Sequence, residues 1–284
     1  MWDVKGKVAL ITGATNGIGK ETALGLARSG AMVVIHGRNP SKTEGVAREI
    51  TQKTGNKNVD MIIGDLSSLS DVKKIAEEFQ SKYNSLNILI NNAGGLYMDE
   101  PVSRDGFEMT FAVNYLSHFL LTNLLLDLIK NSGPSRIIHL SSSAHKMMNG
   151  INIEKVYKPC AYGFLVYCAA KLCVTMFAYE LADRLKGTNV TSNALHPGMV
   201  KTGFGSNNNN IFWKIFAPFC FAISIPPEKG ASTSLFLATS NDLEGITSKY
   251  FVGSREKTST KLSYNREKQK ELWKLSENLV KDFL

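Results

Sequence analysis

Short apolar runs alternate with longer amphipathic stretches along the chain. Strand-like runs lie at Val8–Ile11, Met32–His36, Val59–Gly64, Leu86–Asn91, Arg136–Leu140, Val190–Ala194 and Lys249–Val252. Helical patterns lie between and after them, near Glu21–Arg28, Ser41–Lys53, Ser70–Lys82, Phe107–Lys130, Tyr162–Lys186, Pro227–Ala238 and Asn265–Lys281. This alternation predicts an α/β fold, a doubly wound parallel sheet with helices on both faces. We find no linker that divides residues 1–284, so a single domain is expected, with ligands at the carboxyl ends of its strands.

A glycine-rich segment follows the first apolar run and opens the first helical pattern. It reads Thr12-Gly13-Ala14-Thr15-Asn16-Gly17-Ile18-Gly19. Strand, turn and helix in this order let backbone N–H groups and the helix dipole face a phosphate. The segment therefore predicts a dinucleotide site formed by Gly13, Thr15, Asn16, Gly17, Ile18 and Gly19. The alternative is a glycine-rich turn without a ligand.

The end of the second strand indicates which dinucleotide is bound. An NAD site usually has Asp or Glu there to accept from the ribose 2′-hydroxyl. Here the sequence is His36-Gly37-Arg38-Asn39, without a carboxylate. Because a guanidinium suits a 2′-phosphate, Arg38 predicts NADP(H). The alternative is an ordinary surface arginine.

Three later strand ends carry residues suited to a bound nucleotide. Asp65 follows the third strand and could accept from an adenine amino group or cap the next helix. After the fourth strand, Asn92-Ala93-Gly94 permits close approach to a cofactor, although Asn91 and Asn92 could instead tie strands together. Pro197-Gly198 makes a sharp turn after the sixth strand, and Thr202 could bond the nicotinamide carboxamide. A loop without a ligand is the alternative there.

Tyr167 and Lys171 lie one helical turn apart, on one face of the same predicted helix. A neighbouring ammonium favours the phenolate of a tyrosine, which suits the pair to proton transfer. The serines 141–143 end the fifth strand, where a hydroxyl could polarise a carbonyl or simply form a turn. Asn114 lies inside a long helical pattern, where it could hold a water beside Lys171 or face solvent. The Tyr-x-x-x-Lys spacing also recurs at Tyr264 and Lys268, so it is informative only in context.

In this order, these motifs resemble a short-chain dehydrogenase/reductase over nearly the whole chain. The segments Ser141–His145 and Leu272–Ser276 are most similar to the retinol dehydrogenase and WW-domain oxidoreductase branch. The resemblance implies catalytic residues Asn114, Ser142, Tyr167 and Lys171, with Tyr167 as general acid and base. It also implies cofactor contacts from Asp65, Leu66, Asn92, Ala93, Gly94, Tyr167, Lys171, Pro197, Gly198, Val200 and Thr202. The implied reaction moves a hydride between NADP(H) and a lipophilic alcohol, aldehyde or ketone of retinoid, steroid or fatty-aldehyde type.

An aromatic-rich segment follows Thr202. We expect residues 203–227 to form an apolar lid over the substrate. The part at 211–223 could instead contact a membrane surface, cover a subunit interface or form a core helix. The long helices near 107–130 and 162–186 could pair in a homodimer.

Composition adds few constraints. A net charge of +8 indicates a solvated basic surface that could attract an anionic cofactor, and we find no nucleic-acid-binding module. Four cysteines and five histidines match neither a disulfide framework nor a metal site. The N-terminus reads as neither a signal peptide nor a membrane anchor, so an intracellular protein is expected, soluble or peripheral to a membrane and cytoplasmic. The alternative functions are a sensor of nucleotide occupancy and a membrane-surface interaction protein.

Overall fold

The computed structural model describes residues 2–99, 101–159, 163–200 and 224–284. Within these residues, eight strands form one sheet in the order β3-β2-β1-β4-β5-β6-β7-β8. Every neighbouring pair is parallel except β7 and β8, which are antiparallel. The strands are β1 Val8–Ile11, β2 Met32–Gly37, β3 Val59–Ile63, β4 Ile88–Asn91, β5 Ser135–Leu140, β6 Val190–His196, β7 Tyr250–Val252 and β8 Arg255–Lys257. The predicted doubly wound sheet is confirmed.

Helices connect the strands and cover both faces of the sheet. They are α1 Gly17–Arg28, α2 Pro40–Thr54, α3 Leu69–Lys82, α4 Met109–Phe111, a π-helical turn Ala112–Leu116, α5 Ser117–Leu124, α6 Leu126–Asn131, α7 Gly163–Arg184, α8 Pro227–Thr239 and α9 Arg266–Val280. Short 3-10 turns occupy Ser143–Met147, Ile153–Lys155, Asn241–Leu243 and Lys261–Tyr264. The sequence did not predict β8, because its charged, exposed residues carry no apolar signal.

Side chains of the central strands alternate between two hydrophobic cores. In β1, Leu10 packs into the core that also contains α3, α5 and α7 residues, whereas Ala9 and Ile11 pack into the core on the α1 side. In β2, Val34 faces the first core, and Val33 and Ile35 face the second. Burial on both faces explains why these strands are continuous apolar runs rather than alternating patterns.

The helical stretch predicted near Phe107–Lys130 is helical at 109–124 and 126–131, but it is not one regular α-helix. Three helices and a π-helical turn occupy this stretch, and the turn contains Asn114. Side chains bond backbone carbonyls here, as Ser117 Oγ donates to the Val113 carbonyl at 2.9 Å. π-helical turns occur mostly as single turns inside α-helices and are frequent at functional sites. Hydrophobic periodicity does not distinguish these forms of helix.

The C-terminal helix α9 covers the packed helices α5 and α7. The Trp273 ring lies 5.0 Å from that of Phe119 and 5.7 Å from that of Phe177. Tyr115 Oη and Ser276 Oγ share a hydrogen bond of 2.6 Å. This part of the two helices is therefore filled by the chain itself and is not available to a second copy. A homodimer stays a prediction without a defined surface.

Helix α7 is a core element. By length and composition it could cross a membrane, with a mean hydropathy of 1.5, but 89% of its most apolar window is buried within the fold. The helix carries Tyr167 and Lys171 on the side that faces the carboxyl ends of the strands. Its apolar composition therefore reflects packing on all sides.

Candidate active site

One cavity of about 1370 Å³ lies along the carboxyl ends of the strands. Its walls include the predicted residues Gly13, Thr15, Asn16, Gly17, Ile18, Gly19, Arg38, Asp65, Leu66, Asn92, Ala93, Gly94, Asn114, Ser142, Tyr167, Lys171, Pro197, Gly198 and Val200. Thr202 and most of the expected lid at 203–227 lie outside the described residues. The topology thus joins motifs that are far apart in sequence.

The glycine-rich turn fits a dinucleotide phosphate. Gly13 has a φ of +63°, and a Cβ built on it would lie 2.9 Å from the Cα of Ala93. Only glycine tolerates both the conformation and this close approach. Asn16 is the N-cap residue of helix α1, with its side chain accepting from the Gly17 N–H at 2.8 Å. The helix N-terminus therefore faces the cavity, where its dipole favours an anion.

His36 fixes this turn through hydrogen bonds at both of its ring nitrogens. The Gly13 N–H donates to its Nδ1 at 3.3 Å, so its Nε2 donates to the Gly64 carbonyl at 3.0 Å. Burial lowers the pKa of His36 to about 4, so the ring is neutral at physiological pH. Through these two bonds, His36 ties the ends of β1, β2 and β3 together.

Cationic side chains surround a smaller cavity beside the end of β2. Its volume is about 310 Å³, and its walls include Arg38, Lys74 and Arg104 together with Asp65 and Asp71. Arg104 approaches Asp65 at 3.6 Å, and its side chain is mostly exposed. An anionic group bound here would meet two guanidinium groups and one ammonium group. Arg38 and Arg104 also line the main cavity, so the two spaces adjoin.

Asp65 does not cap helix α3, so that alternative is wrong. Ser68 is the N-cap residue of the helix, and its side chain accepts from the Asp71 N–H. Asp65 instead accepts from the Ser67 N–H at 3.0 Å and stays partly exposed in the cavity wall. The carboxylate is therefore positioned to contact a ligand.

The paired asparagines after β4 have structural bonds. Asn91 Nδ2 donates to Thr122 Oγ1 at 2.9 Å in the core. Asn92 Nδ2 donates to the Thr12 carbonyl at 2.6 Å and to the Gly13 carbonyl at 3.2 Å. Asn92 thus ties the loop after β4 to the glycine-rich turn while it lines the cavity. Asn91 Nδ2 also lies 3.2 Å from His139 Nδ1 on the neighbouring strand β5. Both residues therefore make structural bonds, and a cofactor contact from Asn92 stays a prediction.

The first two serines after β5 have different surroundings. Ser141 is buried, where its Oγ lies within hydrogen-bond distance of the Lys171 carbonyl (2.9 Å) and of Thr175 Oγ1 (2.8 Å). Ser142 lines the cavity, and its side chain is hydrogen-bonded to that of Tyr167. Of the two, only Ser142 meets the tyrosine.

His145 is hydrogen-bonded to the backbone carbonyl of Ser142. Its Nδ1 donates to the Ser142 carbonyl at 2.5 Å, and its Nε2 accepts from the Thr260 N–H at 3.2 Å. The C-terminal region is thereby connected to the serine. The sequence did not reveal this role, because Thr260 is 115 residues away along the chain.

Tyr167 and Lys171 are both buried at the base of the cavity. Burial raises the pKa of Tyr167 to about 12, although the bond with Ser142 lowers it. Burial lowers the pKa of Lys171 to about 7, and Nζ donates to the Leu140 carbonyl at 2.8 Å. We expected Lys171 to lower the tyrosine pKa, but burial raises that pKa. Nζ lies 5.7 Å from the centre of the Tyr167 ring.

Asn114 does not face solvent. It is buried in the π-helical turn, and its Nδ2 donates to the carbonyls of Gly95 at 2.8 Å and Thr110 at 2.7 Å. A Cβ added at Gly94 would collide with Asn114 Oδ1 and lie 3.2 Å from Lys171 Nζ. Glycine at 94 therefore allows Asn114 and Lys171 to approach each other beside the cavity.

Comparison with known proteins agrees with this geometry. A family model described as short chain dehydrogenase matches residues 7–211. Retinol dehydrogenase 13 of Mus musculus is 40% identical over 98% of this chain and 84% of its own length. Polyprenol dehydrogenase of Homo sapiens is 36% identical over 95% of this chain and 84% of its own length.

Solved structures share the fold. A protein from Mycobacterium paratuberculosis superposes with a TM-score of 0.78 at 29% identity, covering 98% of this chain and 95% of its own. RhlG of Pseudomonas aeruginosa, solved as an NADP active-site complex, gives a TM-score of 0.69 at 25% identity, with coverages of 88% and 95%. These matches confirm the resemblance predicted from the motifs. The chain therefore belongs to the short-chain dehydrogenase family and is an oxidoreductase acting on CH–OH and C=O groups.

Proposed function

We propose that this protein transfers a hydride between NADP(H) and a lipophilic alcohol, aldehyde or ketone. One observation carries the proposal: Ser142, Tyr167, Lys171 and Asn114 line the same cavity as the glycine-rich turn. A nucleotide whose phosphates lie on that turn can extend along the cavity towards the tyrosine. Bound there, the nicotinamide would supply or accept the hydride, which no side chain can do.

The side chains of this chain supply the proton. Because burial keeps the pKa of Tyr167 high, its hydroxyl is protonated at neutral pH and can donate to the substrate oxygen during reduction. Ser142 is hydrogen-bonded to that hydroxyl and stabilises the oxygen as negative charge develops on it. Lys171, held by the Leu140 carbonyl, lies where it can bind the nicotinamide ribose and favour the tyrosinate left after proton transfer.

The preference for NADP(H) rests on the end of β2. Arg38 lines both cavities, and the strand end His36-Gly37-Arg38 has no carboxylate to accept from a ribose 2′-hydroxyl. Lys74 and Arg104 add positive charge around the same space. A 2′-phosphate would therefore be attracted to this site, although Asp65 and Asp71 reduce the net charge there.

The substrate class rests on the cavity rim. Val102, Met147, Phe164 and Met199 line the cavity and are 46%, 58%, 42% and 48% exposed. Large apolar side chains exposed around one opening are typical of a site for an apolar ligand. The relatives named retinol dehydrogenase and polyprenol dehydrogenase support a lipophilic substrate.

Three expectations stay predictions. Residues 203–223 lie outside the described part of the chain, so a lid over the substrate and a membrane contact at 211–223 have no structural test. A cytoplasmic or membrane-peripheral location is likewise a prediction.

The test is turnover of purified protein with NADPH or NADH and a panel of aldehydes and ketones of increasing apolar length. We expect NADPH-dependent reduction that improves with apolar length. Tyr167→Phe should lower kcat at least roughly a hundredfold, because the proton donor is lost. Tyr264→Phe is the matched control, since Tyr264 has the same Tyr-x-x-x-Lys spacing but stacks on Tyr179, outside the cavity. Nucleotide binding without reduction of any carbonyl would contradict the proposal.

A further inference from the structure

His118 is a buried histidine that the mechanism above does not use. It follows Asn114 by one helical turn and is 3% exposed. Its Nδ1 lies 3.2 Å from the Asn114 carbonyl oxygen, and its Nε2 lies 2.9 Å from Thr12 Oγ1. A carbonyl can only accept, so Nδ1 carries the proton and Nε2 accepts from the Thr12 hydroxyl. Burial lowers the pKa of His118 to about 3, which keeps the ring neutral and this tautomer fixed.

Thr12 connects the ring to the nucleotide-binding loops. Its Oγ1 accepts from the N–H groups of Asn92 at 2.9 Å and of Ala93 at 3.0 Å. Both N–H donors belong to the loop after β4, and both residues line the cavity. The Thr12 hydroxyl has two possible acceptors, the Ile90 carbonyl at 3.4 Å and His118 Nε2 at 2.9 Å. The shorter contact directs its proton to His118.

Asn114 connects the ring to the proton-transfer residues. Its side chain bonds the loop at Gly95 and lies against Gly94, next to Lys171 Nζ. Ser117, the residue before His118, makes a similar bond, since its Oγ donates to the Val113 carbonyl four residues earlier. Ser117 has no described bond to the nucleotide-binding loops, so His118 differs from it in its second contact.

We propose that His118 is a positioning residue of this reaction. It holds the Asn114 carbonyl in place and joins it through Thr12 to the loops that bind the nucleotide. This inference rests on the proposed function. If His118 has this role, loss of its ring misplaces Asn114 and Lys171 and lowers kcat. The glycine-rich turn keeps its own bonds, so the affinity for NADPH is retained.

Three variants separate positioning from structure. His118→Leu removes both bonds of the ring. His118→Asn keeps a donor for the Asn114 carbonyl, since Asn123 in this chain donates to the carbonyl four residues earlier at 2.7 Å, but it cannot also reach Thr12. Ser117→Ala removes the neighbouring bond and serves as the matched control.

We expect His118→Leu to lower kcat roughly tenfold to a hundredfold, as a misplacement of about 1 Å does. The Kd for NADPH should stay near that of the unchanged protein. His118→Asn should recover part of kcat, and Ser117→Ala should lower the melting temperature while leaving kcat unchanged. An unchanged kcat in folded His118→Leu, or an equal loss of kcat in Ser117→Ala, would overturn the proposal.

A second readout does not depend on turnover. If the protein binds NADPH but reduces no carbonyl, the proposed function fails, and ¹⁵N NMR of the histidine rings then decides the role of His118. The His118 signal, assigned by its loss in His118→Asn, should show an Nδ1-protonated neutral ring that shifts when NADPH is added. A ring signal that does not respond to NADPH would overturn the connection to the nucleotide loops.

Discussion

Replacing Lys171 with methionine should make the protein more stable at neutral pH while removing its activity. The ammonium is buried, and burial lowers its pKa from 10.5 to about 7. In the unfolded chain the lysine keeps its ordinary pKa, so between these two values the unfolded state binds more protons. The buried lysine therefore costs the native state almost no stability above about pH 10.5. The cost grows as the pH falls towards about 7 and is constant below that.

The size of the effect follows from the shift in pKa. At about 1.4 kcal/mol per unit, moving from 10.5 to about 7 destabilises the native state by at most about 5 kcal/mol. Methionine removes this desolvation cost but leaves the Leu140 carbonyl without the bond from Nζ, and that loss costs about 1–3 kcal/mol. Lys171→Met should thus gain roughly 2–4 kcal/mol at pH 7. At pH 10 only about 1 kcal/mol of the charge cost remains, so the lost bond decides and the variant should be as stable as the unchanged protein or up to roughly 2 kcal/mol less stable.

The assay is urea denaturation of the unchanged protein and the variant between pH 6 and pH 10. The difference between their free energies of unfolding should change by about 4 kcal/mol between pH 7 and pH 10. Lys270→Met, at an exposed position of α9, is the matched control and should show no such change. A difference for Lys171→Met that is independent of pH would refute the depressed pKa of the lysine.

Two further predictions test the cofactor and the packing. Arg38→Asp should raise the KM for NADPH roughly tenfold to a hundredfold and lower the KM for NADH, because a charge-assisted bond to the 2′-phosphate is replaced by an acceptor for the 2′-hydroxyl. Steady-state kinetics with both nucleotides checks this, and unchanged KM values would exclude Arg38 from the site. Trp273→Ala should lower the free energy of unfolding by about 3–5 kcal/mol, since the ring is 4% exposed and packs between Phe119 and Phe177. Urea denaturation measures this free energy, and a loss below about 1 kcal/mol would contradict the packing of Trp273 against these two rings.

Periodicity and spacing predicted most of the fold. Buried strands such as Val8–Ile11 are continuous apolar runs, and the order of strands and helices leaves few topologies for a parallel sheet. The antiparallel strand Arg255–Lys257 was missed, since an exposed edge strand needs no apolar side chains. The π-helical turn at Ala112–Leu116 was missed too, because one inserted residue per turn barely alters the apolar pattern.

The residues that line the cavity were predictable where a motif contains its own contacts. The glycine-rich segment and the pair Tyr167 and Lys171 both lie in the cavity wall, as their spacing and context indicated. Bonds between distant segments were not predictable, such as those of His118 with Thr12 and of His145 with Thr260. The effect of desolvation on the pKa values of Tyr167 and Lys171 also needed the structure, because the sequence does not give the depth of burial.

Transfer of deuterium tests the central claim most directly. The protein is incubated with NADPH that carries deuterium at the transferred position of the nicotinamide and with a long-chain apolar aldehyde, and the alcohol is analysed by mass spectrometry. The account predicts one deuterium in each molecule of alcohol formed, and almost no alcohol with Tyr167→Phe. Unlabelled alcohol, or equal formation of labelled alcohol by the Tyr167→Phe variant, would contradict hydride transfer with Tyr167 as the proton donor.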